Sequence, residues 1–172
     1  MKFEGFKYFV RNCANKLGID ITRYRPATTE VGRLSAMLGH HGVDLVFDVG
    51  ANTGQFATAL RTAGYVGTIV SFEPLSSAPA SEYCDADARI FTKIDTQGFE
   101  SLVLDRATKI LRRATGVQLE LSLLPLYENQ KLYDELMDRI RQLGFTPWAI
   151  WPALFDSKTG RIMQADATFF RD

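Results

Sequence analysis

Apolar residues recur along the chain in two periods. Phe3, Phe6, Val10, Cys13 and Leu17 fall three to four apart, the spacing of one helical face, and Gly18 stands where such a helix would stop. This predicts an amino-terminal helix packed by its apolar face on the main body of the protein. Residues 43–49 form a short run rich in Val, Leu and Phe that reads as a buried strand. Thr53 is placed to cap a helix whose Phe56, Leu60 and Ala63 share a face and which Gly64 ends. Residues 68–72 make a second, β-branched strand. The three together span about 30 residues, the size of a right-handed parallel crossover.

Apolar periodicity lapses over 75–89, where Ser, Ala, acids and Pro79 predict a loop. Strands return at 90–95 and 117–121. A turn at Gly98 leads the first into a single helix with Glu100 in its first turn and Arg112 and Arg113 in its last, as the helix dipole favours. The other leads to a helix carrying Leu132, Leu136, Ile140 and Leu143 and closed by Gly144. The tail is extended and aromatic over 145–155, rich in turn formers over 156–160, and alternating at Met163, Ala165, Ala167 and Phe169, which is a β-hairpin. The pattern predicts an α/β fold with a mostly parallel sheet and a carboxyl-terminal antiparallel hairpin. It divides into a helical segment, 1–42, and a sheet domain, 43–172.

Composition narrows the partners. At 172 residues and 46% apolar content the chain supports about one domain. Twenty basic and twenty acidic side chains cancel, which argues against nucleic acid or an anionic membrane as the main partner and for a small molecule. No run approaches the roughly 20 apolar residues of a membrane span, and residues 1–20 have no signal-peptide core, so a cytoplasmic protein is expected. Cys13 and Cys84 have no metal-ligand spacing and are expected as free thiols. His40 and His41 are expected as loop residues, and no metal site is predicted.

The candidate chemistry lies in "DVGANTGQF", residues 48–56, at a strand-to-helix turn. Gly50 and Gly54 let the chain turn sharply and let a ligand approach the backbone, where the following helix points free N–H groups. Their spacing is not that of a pyrophosphate cradle, and this weighs against a nicotinamide dehydrogenase. Asp48 would repel phosphate and attract an ammonium or sulfonium. Glu73, about 20 residues on at the end of the next strand, is placed to accept hydrogen bonds from ribose hydroxyls. A cationic ligand with a ribose points to S-adenosylmethionine. The alternative is that Asp48 caps a turn and Glu73 merely begins a loop.

"VFDVGANTGQF", "SFEP", "KIDTQGFE" and "VQLELS" resemble, in order, the motifs of the FkbM family of S-adenosylmethionine-dependent methyltransferases, over residues 43–170. The resemblance implies a Rossmann-like fold and methyl transfer to a hydroxyl of a sugar, lipid-linked glycan or polyketide. It implies that Asp48, Gly50, Asn52 and Gly54 surround the methionine part of the cofactor, that Glu73 holds the ribose, and that Asp95 lies at the base of the reaction pocket. Asp95 is then the candidate general base, with Gln97 and Glu120 orienting the acceptor. Asp95 reads equally as a helix-capping acid before Glu100, and Glu120 as an edge or buried paired carboxylate.

The family carries a longer stretch between "SFEP" and "KID", including a third strand. Here residues 74–89 replace it, with the break near Ser77 and Ala78. The sheet is therefore expected to be shortened at the edge where that strand would lie, leaving the second strand exposed and inviting a homodimer. Loss of the adenine loop predicts weak cofactor binding. Two functions follow: an active O-methyltransferase, or a truncated, inactive remnant with at most weak nucleoside or protein binding.

Overall fold

A computed structural model describes residues 2–21, 28–73 and 83–171, with side chains from Gly5 onward. Six strands form one sheet: β1 (Leu45–Val49), β2 (Thr68–Phe72), β3 (Ile90–Ile94), β4 (Gly116–Ser122), β5 (Thr146–Phe155) and β6 (Ile162–Phe170). Their order is β2-β1-β3-β4-β6-β5. The first four are parallel, and β6 runs antiparallel between β4 and β5. The helices are α1 (Lys2–Lys16), α2 (Glu30–His40), α3 (Gln55–Thr62), α4 (Glu100–Arg106), α5 (Thr108–Arg113) and α6 (Tyr133–Gln142). The expected break near Ser77 and Ala78 lies outside the described residues. Among the described residues β2 is the strand at one edge of the sheet.

The period of two along each strand sorts the core into layers. Leu45, Phe47, Ile90, Ile94, Val117 and Leu119 face Leu104, Leu111, Leu136 and Ile140 from α4, α5 and α6. Val46, Phe91 and Phe170 face Leu34 and Leu38 of α2 and Leu60 of α3. Towards the carboxyl ends of β1 and β3 this second face turns polar: Asp48 follows Val46 and Lys93 follows Phe91. Gln118, Glu120, Asp166 and Thr168 continue the polar band across β4 and β6.

Several local expectations are corrected. Thr53 does not cap α3. Gly54 does, in the left-handed region (φ 79°) and without a side-chain hydrogen bond, because a glycine there lets the chain enter the helix directly from the turn. The helix expected from Glu100 to Arg113 is two, broken at Ala107; the Thr108 hydroxyl donates to the carbonyls of Leu104 and Asp105, satisfying groups at the break. His40 is not a loop residue, while His41 lies in the turn after α2 as expected. His40 ends α2, and His41 caps it and stacks on Phe170 at 4.0 Å, with Trp148 at 4.4 Å. Phe6, Tyr8 and Phe9 on α1 and Leu17 in the turn just after it are exposed, so the expected packing of the helix's apolar stripe is not seen. The aromatic residues are divided between two sides of that helix.

The sequence reading also leaves α2 out. Its start is built by Thr29, whose hydroxyl accepts the Gly32 N–H at 3.1 Å. Leu34 and Leu38, one turn apart, then reach the core.

Candidate active site

β1 delivers Asp48 and Val49 to a turn whose geometry demands glycine. Gly50 has φ +84°, and a Cβ on it would stand 1.9 Å from the Asp95 carbonyl oxygen. The N–H groups of Gly50 and Ala51 donate to the Phe72 carbonyl at 2.9 and 3.3 Å, and the Asp95 N–H donates to the Val49 carbonyl at 3.0 Å. The ends of β2, β1 and β3 are thus tied together at one point. Asn52 (φ 49°) and Gly54 (φ 79°) also turn left-handed, and no atom lies within 4 Å of where a Cβ on Gly54 would be. The backbone there faces open space, with α3 beginning just beyond it.

Asp48 is fully buried. Lys93, its register partner on β3, sets Nζ 3.6 Å from Asp48 Oδ1 and 3.1 Å from Asp95 Oδ2. Ser71 Oγ donates weakly to Asp48 Oδ2 at 3.5 Å. The cation that Asp48 was expected to draw from a ligand is therefore supplied from within the sheet. Burial raises the Asp48 pKa, and Lys93 opposes that rise without cancelling it. Asp95, with its side chain about a third exposed, opens to solvent beside Gly50.

Asp95 bonds Lys93, and the turn before α4 is held by Glu100. That carboxylate is 1% exposed and accepts from the Thr96 N–H at 3.0 Å, the Thr96 hydroxyl at 3.3 Å and the Gly98 N–H at 3.1 Å. Gln97 (φ 51°) is exposed at the tip. Replacing Glu100 with alanine strands these donors and is expected to lower stability by about 2–3 kcal/mol. A thermal melt unchanged from wild type would show that the turn is held by other means.

Glu73, the residue after β2, is exposed. Glu120 on β4 lies opposite Asp166 on β6 and accepts from Gln164 Nε2 at 2.8 Å. Glu30 of α2 reaches down to the same face and accepts from Gln118 Nε2 at 3.1 Å. Burial first, then the charges of Asp95, Asp166 and Glu100, push Glu120 up to about 7. Burial, then Glu30 and Asp95, push Asp166 up to about 7.

No family model matches the sequence, and no curated relative matches it. Solved structures do. The 1,6-didemethyltoxoflavin-N1-methyltransferase of Burkholderia thailandensis aligns over 85% of this chain and 80% of its own, with TM-score 0.51 and 19% identity. The methyltransferase domain of bacterial CtHen1-C aligns over 86% and 99%, with TM-score 0.50 and 10% identity. A candidate hemolysin from Lactococcus lactis aligns over 87% and 90%, with TM-score 0.51 and 16% identity. The fold is Rossmann-like, as in these structures.

In this fold the expected residues Asp48, Gly50, Asn52, Gly54, Glu73, Asp95 and Gln97 gather at the carboxyl ends of β1, β2 and β3, while Glu120 belongs to the neighbouring acidic patch. Sequence reasoning missed Lys93, Glu30, Gln118 and Asp166. For Lys93, Gln118 and Asp166 the one signal is polarity within otherwise apolar strands, as in "IFTKI" and "GVQLELS"; Glu30, on α2, carries none of it.

The raised acids Glu120 and Asp166 carry a pH dependence. Glu120 and Asp166 keep their protons to about pH 7 when folded but only to about pH 4 when unfolded. Between those values the folded state binds more protons, so their contribution to stability falls as pH rises. Asp166→Asn should therefore lose less stability than wild type between pH 5 and pH 8 in denaturant titrations. Equal losses would mean that the Asp166 carboxyl titrates alike in the folded and unfolded states.

Proposed function

We propose that this chain transfers a methyl group from S-adenosylmethionine to a hydroxyl of a small-molecule or glycan acceptor. One observation carries the reading. The chain leaves β1 for β2 on one side and then β3 on the other, so the switch point between β1 and β3, where ligands bind in open α/β sheets, is where Gly50 abuts Asp95. The cofactor sits there against the open backbone at Gly54, beside the point where Gly50 packs on Asp95. Gly50, Asn52 and Gly54 border its methionine part, Glu73 accepts from the ribose hydroxyls, and Asp48 acts indirectly by fixing Lys93 and through it Asp95. The Burkholderia enzyme was solved with S-adenosylhomocysteine bound, which supports the same cofactor here.

When bound, the cofactor supplies an already activated methyl group, which leaves the protein to align the acceptor and exclude water. Asp95, the accessible carboxylate at the switch point, takes the hydroxyl proton, while Gln97 and Glu120 orient the acceptor. The likeness of "KIDTQGFE" and its companions to the FkbM motifs supports a sugar, lipid-linked glycan or polyketide hydroxyl as the target.

Calorimetric titration with S-adenosylhomocysteine tests this. Glu73→Ala should weaken binding about tenfold or more. Asp95→Asn should spare cofactor binding and cut turnover about a hundredfold. The burial of Asp48, its charge answered by Lys93, favours a second reading: a remnant that binds nucleosides weakly or not at all. A folded monomer with no detectable binding would select it.

A further inference from the structure

Beside the switch point lies a patch that methyl transfer alone does not explain. Glu120 and Asp166 are directly opposed across the β4–β6 pair, and Glu30 of α2 reaches Gln118, two residues before Glu120 on the same face of β4. The other charges facing them are Asp48, Lys93, Asp95 and Glu100 on the β1–β3 side, and Arg33 of α2, whose guanidinium lies 4.7 Å over the Trp151 ring. Trp151 is the register partner of Asp166 on β5. Lys93 is already shared between Asp48 and Asp95.

The hydrogen bonds show what the patch lacks. Gln164 donates to Glu120, and Gln118 donates to Glu30. Gln118 is itself 3% exposed, and its Oε1 has no donor among the described residues. A buried acceptor without a donor is costly, and the half-buried carboxylates of Glu30, Glu120 and Asp166 repel at close quarters. The shortage is of N–H donors and positive charge. An ammonium offers three donors and one charge in a compact group. The carboxylates are not arranged for a metal: among the described residues no three His, Cys, Asp or Glu side chains could hold one.

We infer that the acceptor bears an amino group, and that Glu120, Asp166 and the free oxygen of Gln118 receive the three N–H groups of its ammonium, with Glu30 adding negative charge beside them, while a hydroxyl of the same molecule is presented to Asp95. This rests on the methyl-transfer reading and names its substrate class: amino sugars and related amino alcohols. The patch then sets specificity, since a neutral acceptor leaves these acceptors unanswered.

The test uses the whole chain with three probes of one shape: glucosamine, glucose and N-acetylglucosamine. Binding is followed by ligand-observed NMR at pH 7, with S-adenosylhomocysteine affinity measured first on the same sample. Glucosamine should bind about tenfold more tightly than either neutral sugar. That preference should shrink with added salt and vanish in Glu120→Gln/Asp166→Asn. The comparison of sugars on the unaltered chain stands even where the double variant misfolds. Equal affinities, or no binding by any sugar, overturn the inference. If S-adenosylhomocysteine binds and the amine preference is absent, methyl transfer survives and the ammonium site does not. If the preference is present without cofactor binding, the ammonium site survives and methyl transfer does not.

Discussion

Replacing Lys93 with methionine should lower stability by about 3–5 kcal/mol, the usual cost of breaking a buried ion pair from one side. Lys93 is 9% exposed and Asp48 is fully buried, and Nζ lies 3.6 Å from Oδ1. Asp48 Oδ1 has no hydrogen-bond donor among the described residues, so the ammonium is what answers its charge. Methionine fills similar space but leaves the buried carboxylate with only the weak Ser71 hydrogen bond and the like charge of Asp95 nearby. Asp48 would then take up a proton, so the loss should be smaller at pH 4 than at pH 8. The double variant Asp48→Asn/Lys93→Met removes both charges and should recover much of the difference, read as a rise in the urea midpoint over the single variant. If the single variant costs under about 1 kcal/mol, the pair behaves as a solvated one.

Gly50→Ala should be nearly as damaging and more telling for function. Two costs add: about 1–2 kcal/mol for a side chain in the left-handed region, and about 1–3 kcal/mol for forcing a methyl group into the packed backbone at Asp95. The contact cannot be relieved by a side-chain rotation, because the atom 1.9 Å away is a main-chain carbonyl oxygen. The ends of β1 and β3 must part, and binding of S-adenosylhomocysteine should fall below detection. Gly54→Ala is the contrast. It keeps the left-handed strain, at φ +79°, but meets no atom within 4 Å, so about 1 kcal/mol is expected. Equal denaturation midpoints for the two variants would show that β1 and β3 do not approach as described.

Much of this was legible because strands covered on both faces read as apolar runs, and because glycines mark where they turn. β1 through β4 and the hairpin fall within a residue or two of their predicted bounds. The positions of the glycine turn, Glu73 and Asp95 were legible for the same reason: each sits next to a strand end that the pattern locates. What stayed hidden depends on neighbours distant in sequence. Nothing in "IFTKI" says that Lys93 lies beside Asp48, since the parallel pairing of β1 with β3 is what joins them. Likewise Glu120 was visible as a polar residue in an apolar strand, but Asp166 opposite it and Glu30 above it belong to elements read separately. The same gap hid the partner of Asp48, whose charge meets Lys93 across the pairing of β1 with β3.

The Glu100 clamp has a thermodynamic consequence for any ligand at the strand ends. Fixing the backbone of a free loop residue costs about 1–2 kcal/mol in conformational entropy, and a loop that orders only on binding spends that from its affinity. Here the carboxylate already binds the Thr96 and Gly98 amides. The backbone around Gln97 is therefore ordered by folding itself, and an acceptor arriving there meets a surface whose shape costs it nothing to create.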